Sequence, residues 1–262
     1  MKKIIIVLGC IVVVASLIIY QNRPVSIIRQ SSATAQRTAQ DANTFSISGY
    51  NPGYSGTEKG RIIFVTFRSN ATTGGGACPL SDPGYPSAGV TYGGVKMRFA
   101  GGSTYIGAQA NGSALMAFII NPPSGAQDIV FTSIGGNFQI MVNIVAYYSD
   151  SDYSFRLGHQ KSSINSGTSA TTTVTTAYQN SWSIGMTNNA SSTTANTQTI
   201  TEGTYVTDVG GTALTTVDSN GVIGLGVDTG VGASMPSSAQ IFQSIVTFLP
   251  IRRGSFFLDL IK

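Results

Sequence analysis

The densest cluster of acidic side chains in this chain lies in one short polar stretch. Asp150 and Asp152 stand two residues apart there, and Tyr147 and Tyr153 flank them. In a loop, two carboxylates at this spacing could give oxygen ligands to Ca²⁺, and tyrosine rings offer flat faces to a sugar. A calcium cage needs six or more oxygens, so a solvated loop between two strands explains the same residues. We keep calcium or glycan binding as one interpretation of this stretch, and no other cofactor is expected.

Residues that enzymes commonly use are scarce in the chain. His159 is the single histidine, so a Ser-His-Asp triad or a site with several imidazoles would have to be shared between chains. Its polar neighbours predict an exposed loop position. The two glutamates, Glu58 and Glu202, lie in Gly-rich turn sequences, and the 11 acidic residues offer no facing pair of the kind that a glycosidase needs. The sequence therefore predicts no catalytic residue, and an enzyme on a β-sandwich is only a third hypothesis.

Charge is low and unevenly placed. The net charge is +4, and its cations concentrate near the two ends of the chain. A nucleic-acid interface needs a basic stripe within the folded part to neutralise phosphates, so no nucleic-acid partner is expected. Charged residues make up 10% of the chain, well below the roughly 25% of ordinary soluble domains. Such a composition fits secreted, capsid-like or cell-surface β-proteins and argues against an ordinary cytosolic enzyme.

An apolar run occupies residues 4–20, directly after Lys2 and Lys3. As a helix it would be about 25 Å long, close to the ~30 Å hydrocarbon core of a bilayer. The run is longer than the apolar part of a typical signal peptide, and the nearest Ala-x-Ala cleavage site lies far downstream. We therefore favour an uncleaved signal anchor over residues 1–21, with a cleaved signal peptide as the alternative. The anchoring positions would be Ile4, Leu8, Val13, Leu17 and Tyr20.

The composition changes twice after this run. Residues 22–43 are rich in Gln, Ser, Thr, Ala and Arg, and they predict a polar stalk. Over residues 44–250, short runs of β-branched and aromatic residues alternate with clusters of Gly, Pro, Asn and Ser, which is the signature of strands and turns. Cys10 lies in the apolar run and Cys78 in a Gly- and Pro-rich segment, so no disulfide framework is expected. About a dozen strands at this spacing predict a single β-sandwich domain.

Individual strands differ in their apolar pattern. Residues 62–67 and 115–120 are apolar on both faces, which predicts central strands covered on each side. Residues 95–100 alternate, with Val95 on the predicted core face and Lys96 on the wet face. Two-residue hairpin turns are predicted at Gly93-Gly94 and at Asn220-Gly221, and a further strand is predicted at residues 222–227.

Three short motifs follow one another in the order 90–94 (Val-Thr-Tyr-Gly-Gly), 121–125 (Asn-Pro-Pro-Ser-Gly) and 181–185 (Ser-Trp-Ser-Ile-Gly). With Met97 after the first of them, the chain resembles Gly-rich, jelly-roll-like β-sandwich modules of bacterial surface proteins and of phage structural and adhesin proteins. The resemblance covers roughly residues 43–250. It implies an all-β, jelly-roll-like antiparallel sandwich behind the N-terminal helix, and it brings no catalytic residue with it.

The last segment, residues 251–262, predicts a basic and apolar tail. It is too short to span a bilayer, and exposed apolar residues usually mark contacts. Phe256 and Phe257 are therefore expected to touch the domain, a neighbouring subunit or a membrane surface.

Two functional hypotheses follow for this chain. The first is a membrane-anchored, non-enzymatic, extracytoplasmic surface protein whose β domain binds a protein or a glycan, as an adhesion module does. The alternative is a structural subunit of a virion, an appendage or a surface layer, for which a homo-oligomer is expected. Both place the β domain outside the cytoplasm, at a cell or virion surface.

Overall fold

The computed structural model describes residues 26–38, 42–54, 60–71, 89–100, 112–133, 137–149, 153–189, 199–209 and 214–252. Every strand pairing among these residues is antiparallel, which confirms the all-β class. None of them forms a helix with the length and hydropathy that a bilayer crossing requires. The predicted anchor at residues 1–21 lies outside the described residues.

The first unit of the fold is made of two facing sheets. Sheet A has the order β1-β9-β3-β7-β6, and sheet B has the order β2-β8-β4-β5. The strands are β1 (Ile27–Arg37), β2 (Thr44–Tyr50), β3 (Gly60–Ala71), β4 (Gly89–Tyr92), β5 (Val95–Lys96), β6 (Arg98–Ala100), β7 (Gly112–Ile120), β8 (Gln127–Thr132) and β9 (Phe138–Ser149).

The second unit contributes sheet C. Its order is β10-β15-β11-β14-β13, and β12 also pairs with β15. The strands are β10 (Tyr153–Thr175), β11 (Trp182–Asn189), β12 (Thr199–Glu202), β13 (Thr204–Val209), β14 (Leu214–Asp218) and β15 (Asp228–Arg252).

Sheet A lies in the middle of the molecule, with apolar side chains on both faces. On one face Ile63, Val65 and Phe67 of β3 pack against sheet B, where they meet Phe131 and other buried residues. On the opposite face, Phe64 packs into a second core that sheet C completes. The same alternation holds in β7. The prediction that residues 62–67 and 115–120 form central strands covered on each side is therefore confirmed.

Each of the two long strands of sheet C, β10 and β15, bends so that its two halves lie in facing layers. Their mutual pairing is interrupted between Gly167 and Ser169. Beyond this break Val231 packs with Ile245 of the same strand, although the two lie far apart along it. Gln243 Nε2 donates to the carbonyl oxygen of Val231 at 3.1 Å and joins the two layers. The second unit thus has its own pair of facing layers, made by the two halves of β10 and β15.

The two units repeat one strand order, and each strand of sheet A has a counterpart in sheet C. The counterparts β9 and β15 share the pattern Gln-Ile-x-x-x-Ile-Val, at residues 139–145 and 240–246. In both copies the isoleucines face the core of their own unit. The valines, Val145 and Val246, both face the opposite unit.

An irregularity in strand pairing also occurs at the equivalent position of both units. β1 carries an extra residue, Gln30, directly after the position paired with Tyr147. β10 likewise carries one extra residue directly after Leu157, which pairs with Phe248. Tyr147 and Phe248 are equivalent in the shared pattern, and their ring centroids lie 5.0 Å apart. Contact between equivalent residues is the mark of a two-fold arrangement, so the chain holds two copies of one fold placed face to face.

The prediction of a polar stalk at residues 22–43 is wrong over β1. This strand pairs with β9 from Ile27 to Arg37 and forms an edge of sheet A. Its Ser, Thr, Ala and Gln side chains are mostly half-buried or exposed. Backbone pairing rather than apolar burial holds the strand, which is why the sequence carries no core pattern there.

Two finer predictions are also wrong. Residues 95–100 form no single strand, because β5 belongs to sheet B and β6 to sheet A, and Val95 is 48% exposed. Residues 222–227 form no regular strand and contribute one isolated bridge, between Ile223 and Ser181. The predicted turn at Gly93-Gly94 is present, with positive φ at both glycines.

The junction between the two units should dominate stability. Replacing Phe248 with alanine removes a ring that contacts Tyr147 and Phe64, so the free energy of unfolding should fall by about 3 to 5 kcal/mol. Denaturant titration followed by the fluorescence of Trp182, the only tryptophan, measures this loss directly at the junction. The exposed control Val95→Ala should change the free energy by less than about 0.5 kcal/mol. Equal effects of the two substitutions would contradict the assignment.

Candidate functional site

An ion pair links the two units at the edge of their shared core. Arg29 lies on β1 of the first unit, and Asp218 ends β14 of the second. Arg29 Nε lies 3.1 Å from Asp218 Oδ2, and the carboxylate side chain is fully buried while the Arg29 side chain is 27% exposed. Since 189 positions separate the two residues, only tertiary folding brings them together.

Both carboxylate oxygens of Asp218 have further partners. Tyr147 donates its hydroxyl hydrogen to Oδ2 at 2.8 Å, and the backbone N–H of Asn220 donates to Oδ1 at 2.9 Å. Arg29 Nη2 also donates to Asn220 Oδ1 at 2.6 Å. The carboxylate is therefore held by Arg29, Tyr147 and the backbone of Asn220.

The pKa values follow from this enclosure. Burial raises the pKa of Asp218 above its usual range, and the Tyr147 hydrogen bond and the Arg29 charge oppose the rise. Burial, followed by the nearby Asp218 charge, raises the pKa of Tyr147 well above its usual range. The phenol therefore keeps its proton and acts as a fixed donor. The network is built to join the two units rather than to transfer protons.

An open groove of about 570 Å³ runs beside Asp218. Its lining residues are Gly203, Thr204, Asp218, Ser219, Val222, Ile223, Gly224, Val227, Asp228, Thr229 and Gly230. Asp228 is exposed, and its Oδ1 accepts a hydrogen bond from Thr175 Oγ1 at 2.6 Å. Backbone groups, hydroxyls and the exposed Asp228 carboxylate give the groove a mainly polar lining.

Apolar side chains form one rim of this groove. Val222, Leu225 and Val227 are 54%, 58% and 48% exposed on the turn at residues 219–227. Tyr178 is 39% exposed on the neighbouring loop at residues 176–181. We call these four side chains the apolar patch.

Backbone hydrogen bonds fix the two loops side by side. Gly226 N donates to Thr176 O, and Thr176 N donates to Val227 O, each at 3.0 Å. Ile223 N donates to Ser181 O at 2.7 Å. These hydrogen bonds therefore hold the apolar patch in a fixed position on the surface.

Tyr147 and Tyr153, the ligand candidates that the structure describes, do not line this groove. Asp150, Asp152, Phe256 and Phe257 lie outside the described residues, so calcium binding at the two acids stays a prediction. Across the part of the chain that is described, no group of three or more His, Cys, Asp or Glu side chains could hold a metal ion.

Three other predictions can be compared with the structure. Tyr147 is fully buried between the units, so the prediction that its ring meets a ligand is wrong. Tyr153 is half-buried at the start of β10. His159 is exposed as expected, but it lies within β10 rather than in a loop, with Nδ1 2.8 Å from Thr175 O.

Comparison with known proteins adds little to this geometry. No protein-family model matches the chain, and no curated protein matches it. One solved structure, described as a "putative secreted protein" from Eubacterium rectale, covers 85% of this chain and 74% of its own at 9% identity. The TM-score is 0.20, too low to support a conclusion on fold or function.

The ion pair gives a pH-dependent prediction. In Arg29→Met the buried Asp218 carboxylate loses its opposite charge, so the free energy of unfolding at pH 7 should fall by about 3 kcal/mol. Because the folded-state pKa of Asp218 lies above its unfolded value, the folded protein takes up the proton first as the pH falls. Stability should therefore recover as the pH drops from neutral through that pKa, and the loss caused by the substitution should shrink.

The matched control is Arg29→Met in an Asp218→Asn background, measured by urea unfolding across the same pH range. The substitution should cost little there, and its cost should not depend on pH. An identical pH dependence in both backgrounds would rule out Asp218 as the titrating group.

Proposed function

We propose that this chain is a non-enzymatic, extracytoplasmic structural subunit, attached to a membrane by residues 1–21 and used to build a virion, an appendage or a surface layer. The observation that carries the proposal is the doubled unit. Two copies of one antiparallel fold share a buried apolar junction, and this yields a single block with outer faces left for contacts between subunits.

The strand order supports a jelly roll in each unit. In the first unit most consecutive strands lie in opposite sheets, except β4 with β5 and β6 with β7, and the first strand lies beside the last. This is the winding of a double-sheet jelly roll, an architecture used by viral capsid proteins and by lectins. The fold alone does not fix function. It favours building and binding roles, because the polar network around Asp218 is taken up by contacts between the two units.

The surface composition also supports an extracytoplasmic role. Charged residues are few, and the exposed positions of the long strand β10 carry mainly Ser and Thr. The apolar run at residues 4–20, which lies outside the described residues, supplies the proposed attachment to the membrane.

The second candidate is a surface protein that binds or adheres to a protein or glycan partner. The groove beside Asp228 favours it, because polar backbone and hydroxyl groups there adjoin an apolar rim. A binding protein would act as a discrete molecule, whereas a structural subunit would assemble into larger particles. The two functions therefore differ in the size of the native species.

The full-length protein should assemble when it is extracted without denaturant. Light scattering coupled to gel filtration and negative-stain microscopy should show regular oligomers, filaments or lattices that grow with protein concentration, and intact mass should show residues 1–21 retained. A monodisperse monomer at high concentration would overturn the structural role and leave the binding role.

Membrane attachment is tested separately from assembly. Placing lysine at Leu8 and Val13 should release the protein from membranes, since each central lysine costs about 2.5 to 3.5 kcal/mol in a bilayer-spanning helix. The matched control Gln21→Lys adds the same charge outside the apolar run and should leave attachment intact. Assembly should persist in the released variant, because the folded units mediate it. Continued membrane attachment of the variant would contradict the anchor.

A further inference from the structure

The apolar patch is held in place by backbone hydrogen bonds, and none of the described residues covers it. Its three aliphatic side chains are each about half exposed, whereas most large apolar side chains of the described residues are buried. Contiguous exposed apolar residues on a folded protein usually mark a contact. The hydrogen bonds between the loops at residues 176–181 and 219–227 keep the patch in place.

The described chain ends close to this patch. The guanidinium carbon of Arg156 lies 4.2 Å from the centre of the Tyr178 ring. Arg156 pairs with Leu249 of β15, and that strand ends three residues later, at Arg252. Three residues of strand span about 10 Å. Residues 253–262 therefore leave sheet C at the same end of the molecule as the patch.

The length and chemistry of these last ten residues suit the patch. Fully extended, ten residues reach about 33 Å. Five of them are large and apolar: Phe256, Phe257, Leu258, Leu260 and Ile261. Arg253 and Lys262 bring positive charge to a surface where Asp228, directly after Val227, is exposed. The apolar and the cationic groups of the tail thus have complementary groups at the site.

We propose that residues 256–261 dock on the apolar patch of their own chain. The short tether favours the same chain over a second copy, because it holds the tail at a millimolar effective concentration. Docking covers Leu225 and Val227 and places the tail along the rim of the groove. This inference is independent of the proposed structural role, and each can fail without the other.

Disulfide trapping in the full-length protein, held in lipid nanodiscs, tests the docking. Leu225→Cys and Phe257→Cys are introduced together in a chain where Cys10 and Cys78 are replaced by serine. Mild oxidation should give a crosslink within one chain, seen as a monomer of altered mobility on a non-reducing gel. The control pair Val95→Cys and Phe257→Cys, which puts an equally exposed position on the first unit, should give none.

Three outcomes would overturn the proposal. They are no crosslink at Leu225, equal crosslinking at Val95, and a crosslink found between chains, which would mean that tails are exchanged between copies. The folded state of each variant is checked by the fluorescence of Trp182, which reports the junction rather than the patch.

Hydrogen exchange provides a second measurement with the native cysteines. In Phe256→Ser/Phe257→Ser, amides of residues 222–227 should lose protection, while amides of residues 93–96 in the first unit should not change. Unchanged exchange at residues 222–227 would contradict docking even if the crosslink forms.

Discussion

The aromatic junction between sheets A and C is the interaction on which the rest of the structure depends. Phe248 lies 5.0 Å from Tyr147 and 5.1 Å from Phe64, measured between ring centroids, and Tyr147 lies 5.8 Å from Trp182. Aromatic rings bury large areas and add favourable edge and offset contacts. Because sheet A needs a cover on its second face, neither unit is complete without the other.

Polar contacts inside this junction set how the two units align. Thr66 and Thr216 share a hydrogen bond of 2.6 Å, and Asn143 Nδ2 donates to the backbone oxygen of Leu214 at 3.1 Å. Buried polar groups are costly without partners, so a shifted alignment would leave these groups unsatisfied. Arg29 and Asp218 act in the same way at the rim. The apolar core supplies most of the stability, and these polar pairs select one arrangement.

The packing of sheet A against sheet C limits which surfaces can take part in function. Sheets A and C each use one face to pack against the other, so these faces are not open to a ligand. Outer layers, strand ends and the loops around the groove remain for contacts. Tyr147 and Asp218, whose pKa values are raised by burial, are enclosed in the junction between the two units.

The sequence alone determined the all-β class, the turn at Gly93-Gly94 and the central place of residues 62–67 and 115–120, because these depend on local side-chain pattern. It did not reveal β1, which is held by backbone pairing and carries little apolar signal. The repeated Gln-Ile-x-x-x-Ile-Val pattern is consistent with a duplication. A match of seven residues indicates one only when the strand order shows that the two segments occupy equivalent strands. The site around Asp218 gave no local signal, since Arg29, Tyr147 and Asp218 come from distant strands. Only tertiary structure decided what covers the second face of sheets A and C, because that cover comes from a unit far away in the chain.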